Sequence, residues 1–162
     1  MFSKLRNSRI PIWVNLVLVM LVLFMSLQVV QFYFGHEMLA ESGITIDGTP
    51  NQNILYTTAG RLVAMVGASV FVLITQSPNQ YLIVLFMSIL REGQEMFIDP
   101  LFPYANAPAP PIVDFGMHVV IVALEIAAFI VVYRLARQDN AILKAAADWS
   151  LNKDSIRLFL ES

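Results

Sequence analysis

The stretch SILREGQEMFIDP, Ser88 to Pro100, follows directly on the apolar run YLIVLFM, Tyr81 to Met87. Its reading decides the fold. The run is greasy enough for a bilayer, yet the next residues bring Arg91, Glu92, Glu95 and Asp99. Either a membrane helix stops at Arg91, or it carries these charges through.

Composition narrows the setting. The chain has 162 residues, 57% hydrophobic and 14% charged, with a mean hydropathy of +0.67. Soluble domains average about 45–50% apolar and about 25% charged, so the composition is that of an integral membrane protein. The length fits one domain. Cysteine is absent, which excludes disulfides, thiolate metal sites and thiol redox chemistry. The basic start, MFSKLRNSRIPIW, resembles a signal-peptide head. The apolar run that follows exceeds the roughly 7–15 residues of a signal core, and a retained membrane helix is the expectation.

A crossing needs about 20 apolar residues. Ile12–Phe34 qualifies, with Trp13 near one end and Phe32, Tyr33 and Phe34 at the other, where interfacial aromatics belong. Tyr56–Thr75 qualifies and ends at the turn signal QSPNQ, Gln76 to Gln80. Ile112–Tyr133 qualifies behind PYANAPAPP, Pro103 to Pro111, which cannot be helical. Tyr81–Leu90 alone is too short.

Charge asymmetry resolves the doubt. Lys4, Arg6 and Arg9 precede the first crossing, and Arg134, Arg137, Lys144, Lys153 and Arg157 follow the last. Positive charge marks the cytoplasmic side, so both termini lie there and the number of crossings is even. The Gly35–Leu55 loop carries Glu37, Glu41 and Asp47 but no Lys or Arg, as an outer loop should. The third segment must therefore cross and take its charges with it. The expected fold is an all-α, integral membrane four-helix bundle, N-in and C-in, spanning residues 1–137. Its crossings are expected at about 12–34, 56–75, 81–98 and 112–133. Residues 138–162 form a cytoplasmic amphipathic tail, with Ile142, Leu143, Ala146 and Trp149 on one face and Lys144 and Asp148 turned away. Trp149 would anchor it on the inner membrane surface or on a partner subunit.

Helix rise then sets depths. Entering at Gln80, Arg91 lies about 17 Å in and Glu95 about 22 Å, within a hydrocarbon layer about 30 Å thick. Arg61 descends about 9 Å from the outer surface, level with Glu95, and His118 reaches a similar depth, with Glu125 lower. Arg91, Glu92, Glu95 and Asp99 share an arc of about 100°; Asp114, His118 and Glu125 share about 40°. A charge facing lipid is costly, so these residues are expected to turn inward and pair, Arg61 with Glu95 or Glu92 and Arg91 with Glu125. Gly60, Ala64 and Ala68 form a small-residue row for close helix approach. Gln28, Gln31 and Gly35 share a face suited to hydrogen bonds between helices.

The pattern of a basic start, "AGRLVAM" (Ala59 to Met65), "LREGQE" in the third segment and an acid within "VALEIAAFIVVY" resembles small DoxX-like four-helix membrane proteins. The resemblance covers roughly Leu55–Arg137 and would mark Arg61, Arg91 and Glu125 as pattern positions. It implies a small membrane subunit, in some relatives linked to quinone-containing redox complexes. The Gly35–Leu55 loop and the proline-rich outer loop depart from it.

Four functions suit the cluster of Arg61, Arg91, Glu92, Glu95, His118 and Glu125. The first is a structural network in an accessory subunit of a membrane complex or a homo-oligomer. The second is a pocket for a small amphipathic ligand, a quinone or a lipid head group, gripped by two arginines, with His118 or Glu125 handling protons. The third is an ion or proton pathway, against which stands the absence of internal repeats. A metal held by His36, Glu37, Glu92, Glu95, Asp99, Asp114 and His118 is the fourth. It is not expected, because the paired Glu-x-x-His motif of di-iron bundles is missing. No hydrolase or phosphate-binding motif and no nucleic-acid patch is present, so the expected partners are the bilayer and membrane subunits, and the expected location is the bacterial inner membrane.

Overall fold

The computed structural model of the chain describes residues 9–44, 48–107 and 109–160, from residue 143 onward as backbone only except for Trp149. Lys4, Arg6 and Asp47, and the side chains of Leu143, Lys144, Ala146, Asp148, Lys153 and Arg157, lie outside the described residues. The described residues form the helices α1 (Ile12–Phe34), α2 (His36–Glu41), α3 (Gly48–Thr75), α4 (Pro78–Leu101) and α5 (Pro111–Leu160), and no strand.

Proline and glycine punctuate these elements. α1 starts behind Pro11 and ends at Gly35, whose N–H still donates to the Gln31 carbonyl at 2.8 Å. Pro78 and Pro111 open α4 and α5, where a helix needs no N–H. Between α3 and α4 the chain reverses through Gln76, at a left-handed φ of 56° that its side-chain hydrogen bonds hold in place.

Three helices are long and apolar enough to cross a membrane: α1, α3 and the Pro111–Ile142 part of α5. Their outward residues are large and apolar, including Leu16, Met20, Leu23, Phe24 and Leu27 of α1. In water this surface would drive aggregation; in lipid it is the expected coat. α4 differs because its C-terminal half carries Arg91, Glu92, Glu95 and Asp99.

Two expectations need correction. The Gly35–Leu55 loop is partly helical: it holds α2, and α3 begins at Gly48, ahead of the apolar run. Hydrogen-bonded helix persists there because backbone groups can stay paired after the apolar residues run out. The second correction is larger. Residues 112–133 and the tail are not separate elements but one helix of 50 residues. No Gly or Pro interrupts Met117–Leu160, and a helix without a breaker continues. At 1.5 Å per residue it is about 75 Å long, far more than the bilayer needs.

Packing follows the apolar spacing. Val14, Leu18, Leu21 and Met25 recur along one face of α1 and are buried with Leu62, Val72 and Leu73 of α3. Tyr81, Val84 and Leu85 of α4 and Ala128 and Val132 of α5 complete the core. The most extensive helix pairs are α4 with α5 and α1 with α3.

Polar contacts tie the two ends. At one end the Gln76 side-chain amide donates to Asn15 Oδ1 and to the Tyr81 hydroxyl oxygen, both at 2.9 Å. The Tyr81 hydroxyl donates to Asn15 Oδ1. Arg9 pairs with Asp139 at 2.6 Å beside this end. At the other end Asn106, in the α4–α5 loop, donates its side-chain amide to the Glu41 carbonyl at 2.9 Å and its N–H to Ser42 O at 3.4 Å. Gly43 is required there: its φ is +86°, and a Cβ would lie 2.7 Å from that of Ala105.

Candidate functional site: the charged interface of α4 and α5

α4 contributes Arg91, Glu92, Glu95 and Asp99, which recur within one to four residues and so share a face. α5 contributes Asp114, His118 and Glu125, spaced four and seven apart on its own face. Packing α4 along α5 brings the two faces together.

Arg91 sits on the α4 side. Its Nη2 donates to Glu92 Oε1 at 2.6 Å and to Glu95 Oε2 at 3.1 Å. Glu92, buried at 5% exposure, reaches across the interface with its other oxygen, and Oε2 lies 3.0 Å from His118 Nδ1. The far side of the same ring faces two more carboxylates, Asp99 at 3.5 Å and Asp114 at 3.9 Å from Nε2. His118 is therefore bracketed by acids on both nitrogens. The ligand atoms of Glu92, Glu95 and His118 lie within 4.8 Å of one another, as do those of Asp99, Asp114 and His118.

Glu125 completes the set in a different way. It is fully buried, at 0% exposure, and neither carboxylate oxygen has a hydrogen-bond partner. It lies close enough to interact electrostatically with Glu92, Arg91 and Glu95. Ser88, one turn before Glu92, is buried with its hydroxyl also unpartnered. Tyr104, in the α4–α5 loop, lies within electrostatic reach of Asp99 and Glu95. Burial and then the negative charges of Asp99 and Glu95 push its phenol above the ordinary value.

Arg61 is not part of this arrangement. It is exposed on α3 and, among the described residues, forms no ion pair. Its expected partners Glu92 and Glu95 are taken by Arg91, which is one and four residues away on the same helix. A short intrahelical reach orders fewer torsions than a bond between helices. For the same reason the expected Arg91–Glu125 pair is replaced by pairs within α4. The expected hydrogen bonds of Gln28 across helices are also not formed at its buried Oε1. His36 stacks on Tyr56 at 6.1 Å between ring centroids, and Glu37 is exposed nearby; neither joins the cluster.

The small residues of α3 also face differently from expectation. Gly60, Ala64 and Gly67 are exposed, Phe71 is 55% exposed, and all four fall within an arc of about 60°. A Cβ at Gly67 would meet nothing within 4 Å, and one at Gly60 only the Tyr33 hydroxyl at 4.0 Å. The row is open to the outside of the chain.

Sequence reasoning missed Ser88 and the Asn15–Gln76–Tyr81 network. The spacing of Ser88 to Glu92 was available; the network joins residues 61 and 66 positions apart and left no local signal.

These features define an all-helical protein of the membrane, with apolar outer faces and a charged seam between two helices. No known family, no curated protein and no solved structure matches the chain.

Proposed function

We propose that this is a four-crossing membrane protein with both termini on the cytoplasmic side, acting as an accessory subunit of a membrane complex or homo-oligomer. In a bacterium the inner membrane is its place. Parity supports the fourth crossing. Arg9 precedes α1 and Asp139 follows the last apolar stretch, yet the two are paired at 2.6 Å. The α1–α3 and α4–α5 connections meet at the opposite end through Glu41, Ser42 and Asn106. α4 then runs the same distance as its neighbours, and its 24 residues reach about 36 Å. Its charges avoid lipid by facing α5.

The observation that carries the subunit role is the outward row Gly60, Ala64 and Gly67. Small residues on a membrane helix allow close backbone approach, and among the described residues no helix packs closely on them. Exposed Arg61 flanks the row, where a charge at hydrocarbon depth calls for a counter-charge. The DoxX-like resemblance belongs to the same proposal. The quinone or lipid-head-group reading has less support, because the two arginines it relies on are apart and Arg91 is already engaged by two carboxylates.

The test exploits the lack of cysteine. A single Ala64→Cys protein, oxidised in native membranes, is expected to cross-link to a second copy or a neighbouring subunit. Gly60→Leu is expected to reduce the mass of the complex on native gels. A wild-type protein that stays monomeric in native membranes, with Ala64→Cys giving no adduct, sinks the subunit reading.

A further inference from the structure

We propose that Glu92, Glu95 and His118, together with Glu125, bind a divalent transition-metal cation at the α4–α5 interface. The argument starts from Glu125. A network whose only task is to hold helices together pairs its charges, since an unpaired buried charge is strongly destabilising. Here a carboxylate at 0% exposure has two oxygens without a partner, and its electrostatic neighbours are Glu92, Arg91 and Glu95. Arg91 does not serve it: its Nη2 is committed to Glu92 and Glu95, and its buried Nε makes no hydrogen bond to any carboxylate. When all three glutamates ionise to ligate a cation, they carry two more negative charges than the one guanidinium offsets, the charge a divalent ion supplies.

Donor geometry agrees. The ligand atoms of Glu92, Glu95 and His118 are within 4.8 Å of one another, and Glu92 Oε2 and His118 Nδ1 are already 3.0 Å apart. That separation is close to the edge of a coordination polyhedron with metal–ligand distances of about 2.0–2.2 Å. Glu125, on the same helix as His118, lies outside that 4.8 Å set and would bring its unclaimed carboxylate to the ion by a side-chain rotation.

The surroundings of His118 fit the same role. Metal-bound histidines hand their second ring N–H to a carboxylate, which fixes the tautomer. His118 binds through Nδ1 in this scheme, and its Nε2 faces Asp99 at 3.5 Å and Asp114 at 3.9 Å. Those two acids are positioning residues at the outer mouth, and they also draw a cation inward. One imidazole with carboxylates suits manganese, iron, cobalt or zinc better than calcium or magnesium, which prefer oxygen alone. The proposal does not depend on the partner of α3, so the cross-linking result leaves it untouched.

The experiment uses full-length protein in lipid nanodiscs, stripped with a chelator and titrated with Co2+. About one Co2+ per chain is expected, with visible d–d bands of a mixed oxygen–nitrogen set and a higher melting temperature. Glu125→Gln and His118→Ala are each expected to weaken binding by about ten-fold or more. Glu37→Gln, on the exposed outer segment, is expected to bind like wild type. Wild-type protein decides the matter even where a variant fails to assemble: no Co2+ bound above the nanodisc blank overturns the proposal. Unchanged binding in folded Glu125→Gln and His118→Ala does so equally.

Discussion

Two polar regions sit inside this apolar molecule, and they are built on opposite terms. At the end beside Arg9 and Asp139, Asn15, Gln76 and Tyr81 form a small neutral network: each of the three side chains has a partner in the other two. Along the α4–α5 interface the groups are charged, acids outnumber bases, and Glu125 and Ser88 are left without partners. A neutral set that pairs its groups with one another, Gln76 Oε1 excepted, is a fastener. A charged set with an excess of one sign and idle ligand atoms is prepared for something else. Glu92 holds the second region together, because it bonds to both Arg91 and His118.

The largest expected effect breaks this hub. Glu92→Ala leaves Arg91 with Glu95 alone and takes the Glu92 carboxylate from His118, and it should cost about 1.5–3 kcal/mol, read as a fall in melting temperature in nanodiscs. Next, Tyr81→Phe removes the hydroxyl from the neutral network while keeping its packing. A loss of about 1–2 kcal/mol is expected, and a change within error would show that the network fastens nothing. Glu125→Gln sharpens the contrast by its sign. With metal chelated it should cause no loss of stability, since among the described residues no group pairs with that carboxylate; a loss comparable to Glu92→Ala would mean that Glu125 is as fully paired as Glu92. Arg9→Ala tests the rim beside the neutral network. Arg9 is 67% exposed, and such pairs contribute about 0–1 kcal/mol, so a near-silent change is expected.

The smallest effect concerns pH. The fold favours the protonated phenol of Tyr104, so this contribution is intact below the ordinary tyrosine value of about 10 and declines as pH rises past it. Absorbance titration of the phenolate should show Tyr104 ionising later than free tyrosine. Asp99→Asn should bring it part of the way back, and no difference between the two proteins would separate the loop from the charged region.

How much of this could be read in advance differs between the regions. α1 was legible residue for residue, because a run of apolar residues bounded by Pro11 and Gly35 permits one reading. The gathering of Arg91, Glu92, Glu95 and Asp99 on one face followed from spacing alone. The end of the fourth crossing was not legible, since hydropathy changes at Arg134 while the backbone passes on without a breaker. Arg61 was misplaced because matching depth says nothing about which way a helix is turned.

The sequence by itself determined the membrane setting, the all-helical class and the grouping of charges on α4 and α5, since these rest on composition and on the helical repeat. Tertiary structure decided which charges meet. Helix rotation put Arg61 and the small row of α3 outside, reach gave Arg91 to its own helix, and packing enclosed Glu125 with nothing to bind. Those outcomes depend on distances between helices, and the helical repeat of a sequence carries no information about them.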